Sequence, residues 1–323
     1  MSAPLLEVRD LRTHFFTRAG VVKAVDGVSF TLERGQVLGL VGESGSGKSV
    51  TGFSLLGLVD PPGRIVGGSI RLDGEELVGM PLDELRRLRG RQIAMVFQDP
   101  MMTLNPVLTV GAQMTLAIRA HEKVTGVAAR ERAASVLTRV GIPDAAARLD
   151  AYPHEFSGGM RQRVAIAIAM THSPGLIVAD EPTTALDVSI QAQILHEMRE
   201  LSRESGTALV WISHDLATVS SVAERIMVMY AGRLVEEGPT STVLRDPRHP
   251  YTRGLLDSLP ATARPGQELR QVPGNTPSLL ALPPGCPFAP RCVRASERCV
   301  VDPEHSVDAV RAFRCHHPLE RAA

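Results

Sequence analysis

Eight residues near the start of the chain, Gly42-Glu43-Ser44-Gly45-Ser46-Gly47-Lys48-Ser49, satisfy the pattern G-x-x-x-x-G-K-[ST] at every fixed position. A triphosphate carries dense negative charge. A tight glycine loop turns backbone N–H groups onto it, and the helix that follows adds its dipole. Side chains in such a loop would block the approach or forbid the backbone angles. Lys48 is placed to reach the β- and γ-phosphates, and the Ser49 hydroxyl to bind Mg²⁺. Lys23, Lys48 and Lys123 are the only lysines in a chain that otherwise uses Arg, so a lysine at 48 points to a need for compact charge. Farther on, Asp180-Glu181 closes the apolar run Leu176 to Ala179. There Asp180 suits a magnesium-holding carboxylate and Glu181 a general base toward water. Between the two lies a second glycine-rich turn with a hydroxyl, Ser157-Gly158-Gly159, and His214 follows the pair.

The elements that must position these residues are legible as patterns. Gln36 to Val41 is a compact apolar run entering the glycine loop, the strand–loop–helix context that phosphate binding requires. The helix is expected from Lys48 to about Leu58, ended by Pro61-Pro62-Gly63. Leu5 to Val8, Val25 to Leu32, Gly68 to Gly74, Ile93 to Phe97, Leu176 to Ala179 and Ala208 to Ile212 read as strands. Ile226 to Tyr230 and Arg233 to Glu236 read as a hairpin around Ala231-Gly232. Pro106 to about Leu149 turns helical, with Ala133, Val136, Leu137 and Val140 at amphipathic spacing. Ser157 is placed to cap a further helix, and Ser189 to Arg203 reads as another. Strands alternating with helices imply a mainly parallel sheet with helices on both faces. Beyond Gly238 the composition turns rich in Pro, Arg and Gly, which predicts a less regular appendage.

The bulk composition excludes several classes. The chain has 323 residues, 35 basic and 35 acidic, giving a formal net charge of zero. Nothing in that balance favours nucleic acid or an anionic membrane as partner. Neither a secretory signal nor an apolar run of about 18 residues is visible, so a cytoplasmic protein is expected, held at a membrane only through an embedded partner. Cys286, Cys292, Cys299 and Cys315 are the only cysteines, which predicts one local site in the tail.

Taken in order, these parts resemble an ATP-binding-cassette nucleotide-binding domain over residues 5 to about 240. Gly42 to Ser49 matches the Walker A loop and Gln98 the Q-loop glutamine. Phe156-Ser157-Gly158-Gly159-Met160-Arg161-Gln162 is similar to the signature motif, with Phe156 and Met160 departing from the usual Leu and Gln. Leu176 to Glu181 matches Walker B with its catalytic glutamate, Ala185-Leu186-Asp187 the D-loop, and His214 the switch histidine. Alone, a Gln reads as a surface residue and a His as structural; the order makes them specific. The resemblance implies an α/β P-loop NTPase fold with a mainly parallel core sheet, an antiparallel N-terminal β part, a helical insert at about 100–170 and an irregular C-terminal extension from 241 to 323. It implies that Gly42, Glu43, Ser44, Gly45, Ser46, Gly47, Lys48, Ser49 and Val50 hold ATP with Gln98. Mg²⁺ would be held by Ser49, Gln98 and Asp180, and Lys48, Gln98, Glu181 and His214 would serve catalysis. Ser157, Gly158, Gly159 and Asp187 would serve the nucleotide of a second ATPase subunit docked head to tail. Phe16 is the nearest aromatic residue for stacking adenine.

Phe97 to Pro106, Tyr152-Pro153-His154 and His249-Pro250-Tyr251-Thr252 narrow the resemblance to the ATPase subunits of dipeptide, oligopeptide and nickel permeases. Ser46 and Val50 are closer to the D-type than to the F-type subunit. Such an ATPase implies an importer with two membrane permease subunits, a second ATPase (itself or a sister F-type chain) and an extracytoplasmic substrate-binding protein. Permease coupling helices are expected in a groove near Gln98 to Asn105 and the helical insert, although Met101-Met102 also suits ordinary core packing. A soluble repair or translation ATPase is disfavoured by the single cassette, the lack of long heptad segments and the neutral charge. An exporter is disfavoured by the tail. Peptide, nickel or another small solute stays open. The cysteine spacing C-x5-C-x6-C-x15-C resembles the tail of peptide-permease ATPases that hold a [4Fe–4S] cluster. Zinc, or no metal, remains open for it.

Overall fold

Polar residues interrupt the first two strands, yet both run far past their apolar ends. In the computed structural model, which describes residues 3–184, 186–259, 270–308 and 310–320, the elements are β1 (Leu6–Thr17), β2 (Gly20–Leu32), β3 (Val37–Val41), α1 (Lys48–Leu55), β4 (Gly63–Leu72), β5 (Glu75–Glu76), α2 (Leu82–Leu88), β6 (Ile93–Val96), α3 (Val110–His121), α4 (Gly126–Arg139) and α5 (Ala145–Arg148). They continue with α6 (Gly158–Met170), β7 (Leu176–Asp180), α7 (Val188–Ser205), β8 (Ala208–Ser213), α8 (Leu216–Val222), β9 (Arg225–Tyr230), β10 (Arg233–Pro239), α9 (Thr240–Arg245), α10 (Pro250–Asp257), β11 (His305–Asp308) and β12 (Arg311–Arg314). Two compact units emerge. One holds the residues up to Leu5, Glu33–Gln36 and Gly79–Val210; the other holds Leu6–Leu32, Val37–Val78 and everything from Trp211 onward.

In the first unit β6 and β7 pair in parallel, from Ile93↔Leu176 to Val96↔Ala179. Both strands are buried along their whole length, which is why they read as unbroken apolar runs. The helical segment resolves into α3, α4, α5 and α6. Ala133, Val136, Leu137 and Val140 are all buried, as the spacing predicts. Thr109, Thr125, Ser157 and Asp187 each cap a helix by accepting a backbone N–H, so every one of these helices begins at a side-chain oxygen. In α7 the residues Ile194, Leu195, Met198 and Leu201 bury one stripe, and Gly206 at φ 68° ends the helix.

In the second unit an antiparallel sheet runs in the order β2-β1-β4-β5. The β1–β2 register extends from Leu6↔Leu32 to Thr17↔Gly20 but shifts near Val8, Leu11 and Thr13. Those irregularities, with Asp10 at φ 46°, break the alternation that would have revealed full-length strands in the sequence. A second set of strands runs β11-β12-β10-β9-β3. β3 and β9 are parallel, and the hairpin around Ala231-Gly232 turns β10 antiparallel to β9. The tail has long irregular stretches, as expected, but it also extends the sheet. It supplies β12, paired to β10 through Glu236↔Phe313 and Glu237↔Ala312, and β11 beyond it. β10 would otherwise offer an unpaired edge. Helix α1 stops at Leu55, three residues short of expectation, where Leu58 N–H bonds Phe53 O and Gly57 adopts φ 61°.

Helix α8 crosses β3 at Gly39, where a Cβ would lie 2.1 Å from Val219 Cγ1 and 3.2 Å from Ala223 Cβ. Both neighbours are short and stiff. Gly39→Ala is therefore expected to destabilise the protein by about 1–3 kcal/mol, the usual cost of overpacking, measured by denaturant unfolding.

Candidate active site

The strand β3 is apolar because it is buried on both faces, and it delivers the chain directly into Gly42. Each glycine of the loop has its own reason. A Cβ on Gly42 would lie 2.2 Å from the Met229 carbonyl, and one on Gly47 would lie 2.1 Å from the Ala24 carbonyl. Gly45 has open space around it but takes φ 76°. The loop is thus a backbone cradle that neighbouring strands press against. Lys48 opens α1, is buried, and donates from Nζ to the carbonyls of Gly42 (2.8 Å) and Glu43 (3.0 Å). Ser46 Oγ is buried with no hydrogen-bond partner among the described residues. A buried orphan hydroxyl and a side-chain-free cradle at a helix N-terminus fit a triphosphate. Ser49 and Val50 follow in the first turn of α1, and Ser44 lies between the held residue Glu43 and Gly45.

Glu43 is the residue that the local pattern leaves unassigned. Its carboxylate takes two bonds from Arg291 and one from Thr276, and its backbone N–H donates to Tyr251 Oη. Burial alone would raise the Glu43 pKa, but the Arg291 guanidinium outweighs it and holds the carboxyl below its ordinary value. None of these partners carries a local sequence signal for the loop; they lie more than 200 positions away.

In the first unit the structure brings Gln98 and Glu181 together. Gln98 Nε2 donates to Glu181 Oε2 at 3.3 Å, and Thr184 Oγ1 donates to the same oxygen at 3.0 Å. Thr184 is a contact that sequence reasoning missed. Asp180 ends β7 and is buried, whereas Glu181 next to it turns at φ 45° into the left-handed region. A non-glycine residue held there stores backbone strain of the kind that active sites retain. Ser157 Oγ accepts from Met160 N–H at 3.3 Å, so the hydroxyl hydrogen is left to donate elsewhere. Gly159 packs against Ile190, where a Cβ would lie 2.8 Å from Cγ2, and a Cβ on Gly158 would touch Leu186. The serine turn is therefore seated on the segment that Asp187 begins. Asp187 accepts from Ser189 Oγ (2.7 Å) and Ile190 N–H (3.0 Å), and the Ser189 bond leads in keeping its pKa low. Ala185 lies outside the described residues. In the second unit His214 follows β8 on an exposed turn. Phe16 is part-exposed with the Arg64 guanidinium 4.3 Å over its ring.

The four cysteines share one cavity in the tail. Cys286, Cys292, Cys299 and Cys315 line it together with His249, His316 and His317. Arg294 N–H points at Cys292 Sγ and His317 N–H at Cys315 Sγ, each at 3.4 Å. Burial pushes the thiols of Cys286 and Cys292 up, and that of Cys315 to about 11. His249 is fully buried. Its Nδ1 accepts from Tyr251 N–H, its Nε2 has no partner among the described residues, and burial lowers its pKa to about 3. The donor set is that of a thiolate site. As placed, however, no three His, Cys, Asp or Glu side chains among the described residues are disposed around a single metal ion.

Residues 25–184 match the ABC transporter family, and residues 235–299 match the oligopeptide/dipeptide transporter C-terminal region. The fold is that of the dimeric ATP-binding cassette MJ0796 bound to ADP and Pi (TM-score 0.66, 27% identity, 73% of this chain and 98% of that one). It also matches cbiO1 of Clostridium perfringens (TM-score 0.64, 26% identity, 75% of this chain and 91% of that one). The cassette and its loops thus define an ATP-binding-cassette ATPase. Within that class, a putative peptide import ATP-binding protein of Brucella abortus is 52% identical over 97% of this chain and 95% of its own length. The oligopeptide transport ATP-binding protein OppD of Salmonella typhimurium is 48% identical over 98% and 94%. The chain belongs to this family of ABC transporter ATP-binding proteins, and ATP hydrolysis is its activity.

The two kinds of glycine separate experimentally. Gly45→Ala meets no neighbour and is expected to cost about 1–2 kcal/mol, the left-handed penalty alone. Gly47→Ala is expected to cost more and to abolish ATP binding, because its Cβ displaces the Ala24 carbonyl. Unfolding curves and ATP binding isotherms on the two variants check the contrast.

Proposed function

We propose that this chain is the ATP-hydrolysing subunit of an importer that takes di- and oligopeptides across the cytoplasmic membrane. The observation that carries the reading is the match to the oligopeptide/dipeptide transporter C-terminal region over residues 235–299, joined to peptide-import relatives that align along nearly the whole chain. Residues 5–240 form the ATPase portion and 241–323 the permease-type extension. No described helix is long and apolar enough to cross a membrane. The likeness to peptide-import ATP-binding proteins supports a place at the cytoplasmic face on two permease subunits, fed from outside by a substrate-binding protein. Pairing is with a second ATPase, a sister chain or a copy of itself. The segment after Gln98 suits permease docking: Met102 is 72% and Val107 75% exposed, more than core packing would leave.

The chemistry follows from the two half-sites. Backbone amides of the Gly42 to Ser49 loop, apart from that of Glu43, which donates to Tyr251 Oη, bind the triphosphate with the Lys48 ammonium, and Ser44, Ser46 and Val50 complete the loop. Mg²⁺ would be held by Ser49, Gln98 and Asp180 and would supply charge neutralisation at the phosphates. Glu181 accepts a proton from the attacking water; Gln98 and Thr184 orient its carboxylate, and His214 contacts the γ-phosphate end. Ser157, with Gly158 and Gly159, donates to the nucleotide of the partner subunit, beside Asp187. Glu181→Gln is expected to keep ATP affinity and lose turnover by about 100-fold or more, a general-base effect. Steady-state hydrolysis near the unmodified rate would remove Glu181 from that role. Cells lacking the chain are expected to lose uptake of labelled di- and oligopeptides; unchanged uptake of every peptide would defeat the peptide assignment alone.

The four cysteines on one cavity support a [4Fe–4S] cluster held by Cys286, Cys292, Cys299 and Cys315, which would have to draw the sulfurs together from where they stand and outweigh the burial that raises their thiols, with the two N–H···S contacts favouring thiolate. Such a cluster would act as a local staple in a segment with little regular structure. Anaerobically purified protein is expected to contain about four iron per chain and to lose the brown chromophore in Cys292→Ser. Iron-free, colourless protein would leave zinc or free thiols.

A further inference from the structure

The pattern of a phosphate loop leaves its second residue free, and here that residue is held at its carboxylate, its amide and its carbonyl. Arg291 Nη1 donates to Glu43 Oε2 at 2.6 Å and Nη2 to Oε1 at 2.9 Å, a parallel two-bond pair. Thr276 Oγ1 adds a third bond to Oε2 at 3.1 Å. The main chain of the same residue is fixed on both sides. Its N–H donates to Tyr251 Oη at 2.8 Å, and its carbonyl accepts from Lys48 Nζ at 3.0 Å.

Arg291 is itself rigidly seated. It is buried, its Nε donates to Pro273 O at 2.7 Å, and its guanidinium lies near the rings of Tyr230 and Phe288. Tyr251 is wholly buried and meets Tyr230 and Phe288 at 4.6 and 5.3 Å. Thr276, Arg291 and Tyr251 all come from beyond residue 240, in the extension and outside the cassette motifs.

We propose that Arg291, supported by Tyr251, is a positioning residue for ATP: the carboxyl-terminal extension sets the shape of the phosphate loop, and with it nucleotide affinity, by clamping Glu43. The proposal rests on the reading of Gly42 to Ser49 as the triphosphate loop. The clamp acts in two ways. It fixes the peptide planes on either side of Glu43, one of which carries the carbonyl that orients Lys48. It also neutralises a carboxylate that would otherwise lie, half-buried and unpaired, beside Lys48 and compete with phosphate for it. Removing one partner of a buried pair costs more than removing both.

The test uses the purified full-length chain. ATP affinity is read with a fluorescent ATP analogue, and KM and kcat from phosphate release, for Arg291→Met, Arg291→Lys, Glu43→Gln/Arg291→Met, Tyr251→Phe and Lys48→Ala. Arg291→Met is expected to weaken ATP about tenfold or more, raising KM further than it lowers kcat, as loop misplacement should. Arg291→Lys should recover part of that loss. The double variant should bind more tightly than Arg291→Met, which a purely structural role for Arg291 does not predict. Arg291→Met binding ATP within about twofold of the unmodified chain, while Lys48→Ala loses it, overturns the clamp and leaves the loop reading standing. Lys48→Ala with unchanged affinity overturns the loop reading and the clamp together. Should Arg291→Met fail to fold, Tyr251→Phe decides: it deletes one hydroxyl from a buried ring, and unchanged ATP affinity in that variant overturns the proposal.

Discussion

A loop that grips phosphate must keep its own amides unspent and its own side chains small, so it has almost nothing with which to hold its shape. That constraint organises the second unit. Neighbours supply the stiffness that Gly42 to Ser49 lacks. Gly232 N–H ties down the Ser46 carbonyl, the Met229 and Ala24 carbonyls press on Gly42 and Gly47, and Lys48 folds its ammonium onto the Gly42 and Glu43 carbonyls. Tyr251 and Arg291 take the remaining groups of Glu43. The same logic explains why the sequence around Tyr230-Ala231-Gly232 is a tight hairpin. Gly232 at φ 84° lets a turn approach the Lys23 and Ala24 carbonyls, where a side chain would collide.

In the first unit the parallel problem is a carboxylate that must face water yet keep one orientation. A regular strand end would alternate Glu181 away from the direction of Asp180. The left-handed backbone at Glu181 instead re-aims it, and Gln98 and Thr184 hold one of its oxygens by hydrogen bonds. Ser157 solves a related problem. By capping α6 with its oxygen, it keeps the helix dipole and the Gly158 and Gly159 amides facing outward at the same point where its own hydroxyl hydrogen is available.

Much of this was legible in the chain because it is local. The glycine loop, the Ser157 cap, the buried strands β3, β6 and β7 and the apolar stripe of α4 each show themselves within a dozen residues. What stayed hidden depends on distance or on broken periodicity. The pattern shows β1 only as far as Val8 and β2 only from Val25, because irregular register near Leu11 and Thr13 shifts the inward face. β12 was missed because a four-residue strand whose first residue, Arg311, is buried against Asp246 has no apolar alternation to read. The Glu43–Arg291 pair spans 248 positions, and nothing near either residue announces the other. Gln98 and Glu181 were each assigned through motif order, but Thr184, which completes their contact, is an ordinary threonine in the sequence.

Two cations of different kind serve the same loop. Lys48 presents a compact ammonium on a flexible stem, able to bond the loop carbonyls and then turn to a phosphate without changing its charge. Arg291 presents a planar fork that matches one carboxylate on two atoms, and its remaining donors go to the Pro273 and Val272 carbonyls and the Tyr230 hydroxyl. A lysine at 291 would hold Glu43 at one point and let it rotate; an arginine at 48 would be too bulky for a cradle that excludes even a methyl group at Gly47. In a chain with only three lysines, the placement of one of them on the mobile task and of an arginine on the fixed one follows from these geometries. The extension that carries Arg291 is therefore a structural part of the glycine loop's frame as well as the bearer of the cysteine cavity.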